Sequence, residues 1–275
     1  MDFHATLTAA VNDFIEHGFD SQERLDRWMS RLHDAAKASL VPEAVLARSL
    51  AQALDAVFKR NAGTAKLMKV APGVSQYTIE MIKPKLRAEL DRRKLASASL
   101  IKLNRHEAIA KTLQRFAGWA SSVPKGGTEI AKRQDIKTNV RKGIAALPFL
   151  ERRVIIDQSA KLVATINNIV ATDGGAIALI WRHVKMGPPE YQSRPEHVER
   201  DGEIFLIRDS WAHKAGYVKL AGRQYYDQVD AVGEAVYCSC SAQYLFALRD
   251  LPAEMLTVKG REALLQARRA LAGKT

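Results

Sequence analysis

Two cysteines in 275 residues are too few for a disulfide scaffold. They are Cys238 and Cys240, and a bridge between such near neighbours would be strained and would staple no long loop. A reducing compartment fits this usage. Long apolar runs are missing too. The stretch from Gly174 to Trp181 is strand-sized, against the ~20 residues a helix needs to cross a bilayer. Met1-Asp2-Phe3-His4 has no basic segment followed by an apolar one, so no export signal is expected there. Enzyme signatures are equally absent. There is no Gly-x4-Gly-Lys-Ser/Thr loop, no Gly-x-Gly-x2-Gly after a strand, and no Gly-x-Ser-x-Gly elbow.

What the chain does have is an ordinary apolar content of 47% and a localised positive charge. Between Lys83 and Arg153 stand 18 Lys and Arg against 6 Asp and Glu, while the remainder holds 24 of each. The whole excess of +12 therefore sits in one central quarter. Such a field attracts a polyanion, and nucleic acid is the commonest one in a cell. An acidic protein partner and plain solvation are the competing explanations. Arg92, Arg93, Lys94, Lys132, Arg133, Arg141 and Lys142 cluster best and are expected on exposed helix faces or ends.

The periodicity predicts an α+β fold that is predominantly α-helical, with a helical N-terminal part and a small C-terminal α+β module of a few short strands. Leu7, Val11, Phe14 and Ile15 mark a helix ended by Gly18. Asp20 or Ser21 caps a second, and Pro42 opens a third that runs to Phe58. A helix from Ser75 to Arg93 is expected to kink or break at Pro84, with another from Leu95 to about Ala120. In the latter, Lys102, Arg105, Lys111 and Arg115 fall mostly off the apolar stripe and are read as pointing outward. Pro124-Lys125-Gly126-Gly127 reads as a linker, Thr128 as the start of a basic helix, and Pro148 as the start of another to about Val170. Beyond Gly175 the texture becomes β-compatible. Strands are expected within 176–184, at 203–207 and at 235–240, with a break at Gly187-Pro188-Pro189 and helices at 242–249 and 252–272.

Polar chemistry is densest between Trp181 and Asp209. His197, Cys238 and Cys240 are zinc-ligand types, with His183 or His213 available as a fourth. Cys-x-Cys departs from the usual Cys-x2-Cys, however, and a buried cysteine pair on a strand, with His197 bonded inside its own turn, accounts for the same residues. His197-x-Glu199 with the two cysteines also invites a zinc-deaminase reading, but the Pro-Cys-x-x-Cys at a helix start is absent. No metal, no cofactor and no catalytic residue are expected on these grounds. The zinc-dependent enzyme acting on nucleic acid stands as an alternative, as does a plain basic DNA-binding protein.

Taken in order, the residues form a recognisable series: a long helix, a strand ending in Trp181, Arg194-Pro195-x-His197, Arg200-Asp201-Gly202, and a closing Cys238-Ser239-Cys240. This series resembles the Mu F-like minor head proteins of tailed bacteriophages, also called head morphogenesis proteins, over roughly residues 148 to 260. Departures from the family's pattern are Ile156-Asp157-Gln158-Ser159 on the preceding helix, Arg200 before Asp201, and Ser239 between the cysteines. With the linker at Pro124 and the helical periodicity before it, the expected organisation is a helical N-terminal region, basic toward its end (1–123), a basic linker helix (124–147) and, from the resemblance, a Mu F-like module (148–275). The resemblance further implies a non-enzymatic virion component made in the host cytoplasm. Such a protein acts in head assembly at the portal vertex or capsid interior, touching portal protein, major capsid protein or packaged double-stranded DNA. Trp181, Arg194, Pro195, His197, Asp201, Gly202, Cys238 and Cys240 are then structural residues of the module. Pro195 would fix the entry of a turn that Asp201-Gly202 reverses.

Overall fold

The protein is described from a computed structural model, which covers residues 2–125, 130–185 and 193–272. Helices dominate, followed by a small sheet, as the periodicity predicts. The chain divides into two compact units, 1–52 with 94–156, and 53–93 with 157–275. This is not the partition at 123/124 and 147/148 that the sequence suggested. The reason is that three long helices contribute residues to both units: α3 (Glu43–Asn61), α5 (Gln76–Ala120) and α7 (Leu147–Asp173).

In the first unit, α1 (Phe3–His17) is capped by Asp2, whose side chain accepts from the His4 N–H, and α2 (Gln22–Ser39) is capped by Ser21. The apolar stripe of α1 is fully used: Leu7, Val11 and Phe14 have no exposed surface. Phe14 meets Phe116 and Trp119 of α5 edge-on, with centroids 5.7 and 6.4 Å away. Helix α6 (Ile130–Ala145) adds Val140 to this core. It approaches α5 at Gly143, where a Cβ would stand 2.7 Å from the Ala108 carbonyl oxygen, so only glycine fits. Arg105 corrects an expectation. It does not point outward but is 4% exposed, donating from Nε to Glu151 (2.6 Å) and from Nη1 to the Val41 carbonyl (2.7 Å). A charge so buried is tolerable because it is paired and hydrogen-bonded on both sides.

In the second unit, Pro84 neither breaks nor ends α5, which runs as one 45-residue helix. The lost backbone bond is outweighed by Ile79, Ile82, Leu86 and Leu90, a stripe at helical spacing buried to 3% exposure or less. A short helix, α4 (Thr64–Val70), precedes it. The sheet has the order β3-β2-β1-β4, with β1 (Ala178–Arg182) antiparallel to both β2 (Ile204–Leu206) and β4 (Ser241–Leu245), and β3 (Gln224–Tyr225) parallel to β2. Two short helices, α8 (Pro195–Glu199) and α9 (Trp211–Lys214), lie in the connections, and α10 (Val258–Ala272) ends the described chain.

Central strand β1 is covered on both faces. Ala178 packs with Leu206, Leu245 and Met255, whereas Leu179 and Trp181 pack with Phe205, Cys238 and Cys240. Double burial is why its sequence does not alternate. Three expectations fail nearby. The strand expected at 235–240 is a series of turns, the helix expected at 242–249 is β4 followed by a 3-10 turn, and the last helix begins at Val258 rather than Pro252. Gly126, Gly127, Thr128 and Gly187-Pro188-Pro189 lie outside the described residues. No described helix is long and apolar enough to cross a membrane.

Candidate functional site

The site is assembled at the end of β1. Gly202 adopts φ +80° and returns its N–H to the Trp181 carbonyl at 2.9 Å, while Asp201 Oδ1 accepts the His183 N–H at 2.9 Å. Asp201-Gly202 thus reverses the chain as expected, and it also fixes the backbone just past Trp181. Pro195 opens α8, where its missing N–H is no loss. One turn of helix then carries His197 inward to 3% exposure, with its ring edge-on to the fully buried Trp181 at 5.3 Å.

His197 does not bond within its own turn, contrary to the sequence reading. Its Nε2 faces Asp230 Oδ2 at 3.1 Å, thirty-three residues onward. Arg200 secures that carboxylate, donating from Nη1 to Asp230 Oδ1 at 2.5 Å, and its guanidinium lies 5.1 Å over the Trp181 ring. Partial burial raises the Asp230 pKa, but the bonds and charge of Arg200, then of His197, bring it net below the usual carboxylate value.

The cysteines approach from the other side. They sit not on a strand but on a loop held at three points. Asp157 Oδ1 of α7 accepts the Tyr237 N–H (2.6 Å), Arg194 Nη2 donates to the Val236 carbonyl (2.8 Å), and Cys238 N–H donates to the Ala235 carbonyl (3.1 Å). Tyr237 itself is left-handed, at φ +57°. For a non-glycine residue that backbone is costly, and here it turns both sulfurs toward His197. Cys238 Sγ and Cys240 Sγ each lie 3.5 Å from His197 Nδ1, and Cys240 Sγ is 3.6 Å from His183 Nδ1. Burial, and then the neighbouring Cys238, push the Cys240 thiol up to about 11. The buried Trp181 indole N–H, which has no hydrogen-bond partner of standard geometry, is beside this sulfur and acts in the opposite direction.

The His197–Cys cluster borders a cavity of about 20 Å³. That space suits an ion or one water and is too small for a nucleobase. Glu199, the acid a deaminase-like mechanism would use, is exposed and lines a different recess with Glu196 and Arg223. The first unit holds a larger cavity, about 620 Å³, lined by His33, Lys37, Pro42, His106 and Leu113 among others, but no set of ligating side chains converges there among the described residues.

The expected nucleic-acid contacts are placed unevenly. Arg141 and Lys142 of α6 are exposed, Arg133 is half-buried, and Lys132 lies in α6 with its side chain outside the described ones. Arg92 is exposed but donates twice to Glu89 (2.6 and 2.8 Å). Lys94 is half-buried. Arg93 is a correction: its side chain is 12% exposed and is spent inside the second unit on Glu89, Gln158 and Thr165. It cannot reach a phosphate without abandoning them. Two residues that sequence reasoning missed hold the site in place, Asp230 and Asp157. Asp230 stands in no motif, Asp157 falls where the chain departs from the family's pattern, and only the fold brings them within reach.

Comparison with protein-family models, with curated proteins and with solved structures gives no match for this chain.

Proposed function

We propose that the chain is a minor structural protein of a tailed-bacteriophage head, of the Mu F-like kind. It acts in head assembly at the portal vertex or capsid interior and belongs to the virion, after synthesis in the host cytoplasm. One observation carries this reading. The residues that bear the resemblance, spread from Trp181 to Cys240, gather around one buried centre made by Trp181, His197, Cys238 and Cys240. Trp181 packs on His197, Gly202 returns to Trp181, Arg194 holds the cysteine loop, and both sulfurs face His197. Residues that matched a pattern by accident would have no reason to converge.

The role is one of assembly rather than catalysis. The cavity beside the thiols is ion-sized, and Glu199 does not border it. Exposed Arg141 and Lys142 on α6 give the chain a means of touching packaged double-stranded DNA through its phosphates. The portal or major capsid protein is the protein partner.

The test is to probe purified phage heads for the chain, and to co-express it with the portal and the major capsid protein. It is expected in heads at low copy and in complex with one of the two. Absence from heads together with no association with either protein overturns the proposal.

A further inference from the structure

On sequence grounds Cys-x-Cys argues against a metal, because it lacks the spacing of common structural zinc sites. The three-dimensional arrangement removes that objection. The left-handed turn at Tyr237, not a strand or helix repeat, sets where the two sulfurs point. His197, Cys238 and Cys240, all buried, bring their ligand atoms within 4.8 Å of one another.

We propose that His197 Nδ1, Cys238 Sγ and Cys240 Sγ, completed by His183 Nδ1, hold one zinc ion that clamps this module. Four features of the site agree on it. The first is spacing. Zinc bonds of about 2.3 Å to sulfur and 2.0 Å to nitrogen, at a tetrahedral angle, place the two donors about 3.5 Å apart. His197 Nδ1 stands 3.5 Å from each sulfur, and these three ligand atoms lie within 4.8 Å of one another. His183 Nδ1 is 3.6 Å from Cys240 Sγ but outside that set, so it must swing in to complete the site.

The second feature is the tautomer of His197. The Asp230 carboxylate can only accept, so Nε2 carries the ring proton and Nδ1 presents its lone pair to both sulfurs. A carboxylate on the far nitrogen is the customary support of a metal-bound histidine, fixing its orientation and raising its basicity. Arg200 secures that carboxylate in turn. The third is the unpartnered Trp181 N–H, a buried donor packed in the same cluster as Cys238 and Cys240. A thiolate there, charged because it binds zinc, would accept from it. The fourth is the ion-sized cavity that His183, His197, Cys238 and Cys240 share.

Two neutral imidazoles and two thiolates form a closed set with a net charge of zero around Zn²⁺, which is the composition of a structural site rather than a catalytic one. The thiols release their two protons as the metal enters. Nothing in this proposal depends on the head-assembly role.

The experiment uses the full-length chain, purified reduced and without a histidine tag. Its zinc content is measured, and Co²⁺ is then titrated into protein stripped by chelation. About one zinc per chain is expected, or, in protein isolated without metal, one equivalent of Co²⁺ giving the intense visible bands of a tetrahedral site and a near-ultraviolet thiolate charge-transfer band. Cys238→Ser with Cys240→Ser should abolish both. Because that variant can fail to fold for other reasons, the thiolate band of the wild-type chain is the deciding observation. Zinc-free protein that gives no such band with Co²⁺ overturns the site, as does full zinc content in the double variant. His183→Ala should weaken zinc retention at least tenfold and change the cobalt spectrum; an unchanged spectrum overturns His183 as the fourth ligand. Heads that contain the chain but no zinc would sink this proposal and leave the assembly role standing.

Discussion

Single residues in this protein are held by backbone geometry as much as by contacts. Gly202 shows it plainly. A Cβ there would meet nothing within 4 Å, so space is not the constraint, but φ is +80°, which a β-branched residue tolerates poorly. Asp201 adds a hydrogen bond to the His183 backbone. Replacing the pair by Asp201→Ala with Gly202→Val should destabilise the protein by about 2–3 kcal/mol, from ~1–2 of left-handed strain and ~1 from the lost bond. A thermal melt reads this directly, and an unchanged midpoint would show that the turn does not anchor β1.

At the scale of elements, α5 carries ion pairs where simple patterning put free charges. In the second unit Glu89 accepts from both Arg92 and Arg93. Burial, the largest single influence, raises its pKa, but the two guanidinium bonds and charges together leave it below its ordinary value of 4.5. A lowered folded pKa means the stabilisation is complete above the ordinary value and is lost as pH falls through the folded one. Wild type should therefore exceed Glu89→Gln by about 1–3 kcal/mol near pH 6, and the gap should close toward pH 3. Urea unfolding of both proteins across that range checks the sign; a gap that widens in acid would contradict it.

For the whole molecule the decisive quantity is how much of the central positive charge remains available to a polyanion. Arg93 and Arg105 are spent internally, whereas Arg141 and Lys142 stay exposed on α6. Binding to duplex DNA should be indifferent to sequence, with a log–log salt slope near −0.9 per phosphate neutralised. About 4–6 contacts would lose on the order of a hundred- to a thousandfold in affinity over a fourfold rise in salt. Neutralising Lys132, Arg133, Arg141 and Lys142 together should flatten the slope by several units without unfolding the protein. Neutralising Arg93 should lower stability and leave the slope alone. A salt series of gel shifts measures both, and no binding even at low salt would reassign the charge to an acidic protein partner.

Most of the helices, the cap at Asp20 or Ser21, strand β1 and the turn at Asp201-Gly202 could be read from the sequence because each depends on neighbours a few residues away. The break expected at Pro84 and the elements expected over 235–249 fail for the opposite reason. Burial of Ile79, Ile82, Leu86 and Leu90 overrides a local helix breaker, and pairing with β1 makes a strand of residues whose spacing suits a helix. The site divides the same way. Its ligand types were visible as His197, Cys238 and Cys240, but spacing along the chain argued against a metal. Only tertiary structure decided the matter of geometry. A left-handed Tyr237 tethered by Asp157, and an imidazole aimed by Asp230, set sulfur–nitrogen distances across more than forty residues, and no local pattern encodes a distance of that kind.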